Sequence, residues 1–229
     1  KSAAVVFADA DLDQLIESVY WGIFFNAGQV CSAMSRLLVE RSIYDQVIKR
    51  VRDLAVGLTL GPGIDNCDLT PLASAGQQRQ VLQHCQQAVA QGARLVTGGA
   101  TPKSMPGYFF EPTVFCDVSA EMDLFQQEVF GPVIAITPFD TEQQAWELAN
   151  GTDYGLVAGI FSKDINHCLR GIRELKAGQV FVNEWYAGGI ETPFGGTGLS
   201  GFGREKGQEA LYNYVRSKNV AIRVAASPD

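Results

Sequence analysis

"PVIAITPFDTEQQAWELANGTDYGLVAGIFS", residues 132–162, decides the fold. PVIAITPF (132–139) is a short apolar run of the kind found in strands buried on both faces. Asp140 then stands as a cap before TEQQAWELANG, which suits a helix. GLVAGIFS (155–162) is a second buried strand. Strand, helix and strand in this order make a crossover, and crossovers join parallel strands.

The same alternation runs outward in both directions. Upstream, AAVVFA (3–8) is a strand. Residues 11–28 place Leu15, Ile16, Val19, Tyr20 and Ile23 at helical spacing, with Gly28 suited to the terminus. RLLVE (36–40) is a strand, and Ser42 caps a helix carrying Tyr44, Val47, Ile48, Val51 and Leu54 on one face. A further helix runs from about Ser74 to Gln91, followed by the strand RLVTGG (94–99). YFFEPTVFCDV (108–118) alternates but contains Pro112, which marks an edge or irregular strand. Downstream, 165–178 is helical, QVFVNE (179–184) is a strand, 204–219 is the last helix, and VAIRV (220–224) is a final strand. The expected fold is a single α/β domain: an open, mostly parallel twisted sheet with helices on both faces.

Composition excludes several functions. The 229 residues are 46% hydrophobic and 19% charged, with a net charge of −7, so the chain reads as a globular protein with no nucleic-acid surface. No apolar stretch approaches the ~20 residues of a membrane span. The first residues are too soon broken by Asp9 and Asp11 for a signal peptide. Five scattered cysteines, an odd number, argue against a disulfide framework and for a reducing compartment such as the cytoplasm. Only His84 and His167 are available as imidazole ligands, and no spacing suits a metal site.

Three stretches carry candidate chemistry. In FFNAGQVCSAMSR (24–36), Cys31 follows a Gly-Gln pair. It is either a small buried hydrophobe or a nucleophile whose oxyanion is met by backbone N–H groups of a glycine-relaxed turn. Arg36 is near it in sequence but enters a strand. In EVFGPV (128–133), Glu128 is either a solvated turn acid or a carboxylate set to accept hydrogen bonds from a ribose diol beside the Phe130 ring. GTGLSG (196–201) matches G-x-G-x-x-G, but Pro193 precedes it and no acid lies at 214–224, so it reads as a tight backbone turn.

Together, FFNAGQVCSAMSR, EVFGPV and VNEWYAGGIETPFGGTGLSGFGREKG resemble, in order and spacing, the C-terminal half of an NAD(P)-dependent aldehyde dehydrogenase. The resemblance covers essentially the whole chain. It implies a catalytic domain over 1–218 and an oligomerisation strand and tail over 219–229. It makes Cys31 the nucleophile, through a thiohemiacetal and a thioester that water hydrolyses to the carboxylic acid. It assigns Glu128, Phe130 and Gln77 to the nicotinamide end of NAD or NADP, although Gln80 stands where the family often has a basic residue. Phe25, Val30, Ser32 and Phe194 fall where the family lines its aldehyde tunnel, and 185–191 at the tunnel mouth. Lys1 falls on the lysine of Glu-Leu-Gly-Gly-Lys. The family's general base, its second oxyanion donor and its dinucleotide-binding domain would precede it, and the isolated chain is expected to be inactive. The implied partners are an aldehyde and further copies of the chain, as a dimer or tetramer, with no nucleic acid, membrane or metal.

Three alternatives stand beside this reading: a CoA-acylating relative, a non-catalytic assembly module of the same fold, and a cysteine hydrolase using His84 or His167. The aromatics and the acids Glu184 and Glu191 of EWYAGGIE (184–191) suit an amino or trimethylammonium aldehyde. Aliphatic aldehydes are equally open.

Overall fold

The computed structural model describes residues 1–224. Nine strands are present: β1 (Ala3–Val6), β2 (Arg36–Glu40), β3 (Arg94–Thr97), β4 (Thr113–Cys116), β5 (Val133–Phe139), β6 (Tyr154–Gly155), β7 (Val157–Phe161), β8 (Gln179–Val182) and β9 (Thr197–Gly198). Seven form one sheet in the order β3–β4–β5–β2–β1–β7–β8, in which only the β3–β4 pair is antiparallel. β6 and β9 form a separate antiparallel pair.

Side-chain alternation divides the core in two. Ala3 and Val5 of β1 face one cluster, while Ala4 and Val6 face the other. The first face is covered by α3 (Ala75–Ala90), the short α4 (Asp123–Gln126), α5 (Glu142–Ala149) and α6 (Ile165–Glu174). The second is covered by α1 (Leu12–Val19) and α2 (Tyr44–Gly57). Strands hidden on both faces need no polar side, which is why VIAI and VAGIF read as unbroken apolar runs.

Several local expectations differ from what the chain does. Ser42 does not cap α2. Residues Arg41–Ile43 make a 3₁₀ turn, and Ser42 Oγ donates to Glu40 Oε1 at 3.2 Å. Thr141, not Asp140, caps α5 by accepting from Gln144 N, and Asp140 pairs with Arg41. β4 is flanked by β3 and β5 rather than lying at an edge; Pro112 falls one residue before it, where the ladder needs no N–H. The final helix is reduced to a 3₁₀ stretch, Gln208–Asn213. Its apolar residues Leu211, Tyr212 and Tyr214 are exposed, and without a surface to bury them the helix lacks its main source of stability. Residues 220–224 form no strand, because no ladder partner lies beside them. The rest of the expected tail, 225–229, lies outside the described residues.

One buried cation ties the amino ends of the central strands together. Arg36, 2% exposed, donates from Nε to Lys1 O (3.1 Å) and from its two terminal nitrogens to Leu148 O and Ala149 O (both 2.8 Å). The last two carbonyls close α5, whose dipole favours a cation there. The guanidinium also lies 4.6 Å from the centre of the Phe125 ring. Burial pulls its pKa down to about 9, still charged at neutral pH. Arg36→Met, which keeps much of the volume, is expected to cost about 3 kcal/mol through lost charge-assisted hydrogen bonds. Denaturant unfolding checks this: the midpoint should fall with the slope unchanged.

Candidate active site

The segment before Cys31 is locally irregular. α1 passes into a π-helical turn, Tyr20–Phe24, and then a 3₁₀ turn, Phe25–Gly28. Within it Asn26, Ala27 and Gly28 have φ of 50°, 52° and 70°. Two consecutive non-glycine residues in the left-handed region cost on the order of 1 kcal/mol or more each. They are held by Asn26 Nδ2 donating to Gln29 O (3.0 Å), by Gln29 N donating to Asn26 O (3.1 Å), and by Ala73 N donating to Gln29 Oε1 (2.9 Å). The reversal carries Cys31 to the amino end of β2.

A second loop meets it there. A Cβ on Gly28 would lie 2.1 Å from Gly131 O, so the two backbones touch with no room for a side chain. Gln77 of α3 braces this second loop by donating from Nε2 to Val129 O (3.0 Å) and Phe130 O (2.8 Å). Phe130, at φ 55°, turns the chain into Gly131-Pro132 and β5.

The result is a cleft lined by Cys31, Glu128 and Phe130, with Lys1, Gly28 and Val30 around them. Cys31 is exposed, whereas Cys85, Cys116 and Cys168 are buried and Cys67 is intermediate. Burial pushes the Cys85 and Cys116 thiols up to about 12. The reading of Cys31 as a buried hydrophobe therefore fails. Glu128 is solvent-facing and makes no ion pair among the described residues. The buried Lys1 amine is pushed down to about 7, first by desolvation and then by Arg36, with the Glu128 charge opposing.

No histidine lines the cleft. His167 stacks on Phe7 at 4.2 Å, beyond the carboxyl end of β1, and contacts Glu142 at 3.0 Å. His84 sits half-buried on α3. The cysteine–histidine alternative thus has no geometry to support it.

Beside the cleft is a cavity of about 330 Å³ that brings together Phe25, Val30, Ser32 and Phe194. Val30 lines both spaces; Cys31, which follows it, lines the cleft, and Ser32 after it lines the cavity. Gln179, Phe181, Tyr186, Glu205 and Lys206 complete much of the wall. Sequence reasoning passed over Gln179 and Phe181, although the alternation of QVFV puts both on one face of β8. Lys206 and Glu205 carried no sequence signal. In the mouth loop, Trp185 turns inward: it is buried and its Nε1 donates to Ser32 O at 3.0 Å, steadying the cysteine loop. Burial pushes the Tyr186 phenol up to about 12; a hydrogen bond with Ser32 opposes this, and the nearby Cys31 adds to it. Neither Glu184 nor Glu191 lines this cavity. Within GTGLSG, Thr197–Gly198 is β9, and Leu199 N and Gly155 N bond to Asp153 O and Ser200 Oγ, so the stretch serves as structural backbone.

The mostly parallel sheet agrees with the comparisons to known proteins. Residues 1–220 match the aldehyde dehydrogenase family model, and the chain belongs to that family. It is 39% identical over 230 residues to a chloroplastic betaine aldehyde dehydrogenase of Beta vulgaris, covering 100% of this chain and 46% of that protein. It is 41% identical over 233 residues to peroxisomal aminoaldehyde dehydrogenase 1 of Pisum sativum, again covering 100% and 46%. A Staphylococcus aureus betaine aldehyde dehydrogenase solved with NAD+ superposes with a TM-score of 0.92 at 38% identity, over 95% of this chain and 44% of that one. The NAD-dependent aldehyde dehydrogenase of Sinorhizobium meliloti gives 0.94 at 33% identity, over 99% and 46%. The chain thus spans slightly under half the length of these relatives. Among the described residues, no helix is long and apolar enough to cross a membrane.

The Gly28–Gly131 contact makes a sharp prediction. Gly28→Ala adds a methyl where φ is +70° and backbone lies 2.1 Å away, and should destabilise by about 2 kcal/mol or more. Gly57→Ala, at the end of α2 with nothing within 4 Å, should be neutral or stabilising by up to about 1 kcal/mol. Thermal unfolding of the two variants in parallel tests the pair.

Proposed function

We propose that this chain is the thiol-bearing catalytic unit of an NAD(P)-dependent aldehyde dehydrogenase, which oxidises an aldehyde to a carboxylic acid. The convergence of exposed Cys31, Glu128 and Phe130 in one cleft, with an aromatic-lined cavity on its other side, carries this reading. Cys31 adds as thiolate to the carbonyl carbon, and its own N–H is offered to the oxyanion of the thiohemiacetal. The donor set fits a nicotinamide nucleotide: Glu128 is an unpaired acid for a ribose diol, Phe130 an exposed ring for the nicotinamide, and Gln77 braces their loop through the carbonyls of Val129 and Phe130. When bound, NAD(P) supplies the acceptor for the hydride whose loss turns the thiohemiacetal on Cys31 into a thioester. Water then hydrolyses that thioester and frees the thiol.

In the full-length protein, Cys31→Ala should lower kcat by at least about 10³-fold with the fold intact. Glu128→Gln should raise the cofactor KM or lower the rate by about tenfold. Residues 1–229 expressed alone should form no reduced nucleotide. Steady-state assays with aldehyde and NAD(P)+ read all three, and full turnover by Cys31→Ala would overturn the mechanism. Acid formation without CoA separates this reaction from acyl transfer to CoA.

We further propose that 219–229 is an oligomerisation segment. Val220, Ile222 and Val224 are 64%, 80% and 83% exposed, alternating along the chain, while β8 ends the sheet with one side unpaired. An exposed segment with alternating apolar residues and a free sheet edge invite pairing between copies. Sedimentation equilibrium should show a smaller assembly when the chain ends at Lys218; an unchanged mass would refute it.

A further inference from the structure

The cavity beside Cys31 already contains a cation of its own. Phe194 and Glu205 exchange two backbone hydrogen bonds, N to O in both directions at 2.7 Å. Lys206 follows at φ 58° and Gly207 at φ 58°, and Gly207 N donates to Ile190 O at 2.7 Å. This double turn swings the Lys206 side chain back over the residue just bridged, and its Nζ lies 5.9 Å from the centre of the Phe194 ring. Both residues line the cavity. Lys206 has no carboxylate within ion-pairing distance among the described residues, Glu205 included. The ammonium therefore stands unpaired near an aromatic face.

A quaternary ammonium aldehyde would be recognised by such aromatic faces. Here the Phe194 face is shared with a like charge; Glu205 is the acid of the cavity wall, next to Lys206 in sequence but not paired with it, and Glu184 and Glu191 do not line it. A positively charged tail brought to the Phe194 face would meet repulsion from the ammonium. A neutral tail would not, and a carboxylate or other anion would be attracted. We infer that Lys206 is the specificity-determining residue of the cavity leading to Cys31, admitting aldehydes with neutral or anionic tails and rejecting those with cationic ones. This rests on the dehydrogenase reading above, and it separates the substrate of this chain from that named for its betaine aldehyde relatives.

The first test uses the full-length protein and three methanethiosulfonates of similar size. One carries a sulfonate, one a trimethylammonium group and one no charge. Each leaves a mixed disulfide on a thiol and releases methanesulfinate. Mass spectrometry of the Cys31 peptide gives the modification rates, which are normalised to the neutral reagent and to free cysteine. Lys206→Met should lower the anionic-to-cationic rate ratio at Cys31 by at least about fivefold, and Lys206→Arg should keep the wild-type ratio. A ratio indifferent to residue 206 overturns the proposal. The second arm compares kcat/KM for a trimethylammonium aldehyde and its uncharged tert-butyl isostere. The wild type should favour the isostere by about tenfold or more, and Lys206→Met should narrow that gap; wild-type preference for the cation overturns the proposal. If no aldehyde of any charge is oxidised while labelling of Cys31 still follows residue 206, the dehydrogenase reading fails and the charge filter stands.

Discussion

Two backbones meet at Gly28 and Gly131 with no side chain between them, and the geometry of the cleft follows from that contact. It joins the turn that carries Cys31 to the loop that carries Glu128 and Phe130, at the adjoining starts of β2 and β5. A methyl group on Gly28 would push the thiol loop away from the carboxylate loop. The same requirement explains the surrounding irregularity. The π turn, the left-handed Asn26 and Ala27, and the reversed Phe130 are unfavourable alone and persist because the Gln29 and Gln77 amides hold both loops from α3 and the segment leading into it.

The location of the site is unusual for an open parallel sheet. Ligands commonly sit beyond the carboxyl ends of such strands. Here Lys1, Cys31 and Glu128 all precede the strands they lead into, so the cleft lies at the amino ends of β1, β2 and β5. The cavity continues the pattern, with Gln179 opening β8. Trp185 couples the two spaces, since its indole anchors the carbonyl of Ser32 next to the thiol, and Gly159 leaves the room that its six-membered ring fills.

Much of this was legible in the chain. Buried strands announce themselves as short apolar runs, and most of the longer elements from AAVV to QVFV follow directly from periodicity. Cys31, Glu128 and Phe130 stood out as motifs, and the four residues that line the cavity, Phe25, Val30, Ser32 and Phe194, as positions in a resemblance. What escaped depends on distant partners. The Phe194–Glu205 bridge spans residues with no common pattern, so Lys206 over an aromatic ring could not be read from spacing. The last helix failed for a related reason: its apolar face is written in the sequence, but nothing packs against it. Pro112 misled because a proline one residue outside a strand looks, in one dimension, like a proline within it.

Arg36 is unlike most buried charges in that its acceptors cannot titrate. A guanidinium neutralised by a carboxylate loses its partner in acid. Three main-chain oxygens and the Phe125 ring do not take up a proton in acid. The Arg36 hydrogen bonds that join the start of the sheet to the end of α5 thus do not depend on a titrating acceptor. Carboxylate-dependent surface pairs such as Arg170–Glu142 and Arg94–Asp117 behave differently: their carboxyls are held below the usual range by the paired arginines, and what they contribute is lost as pH falls through that range.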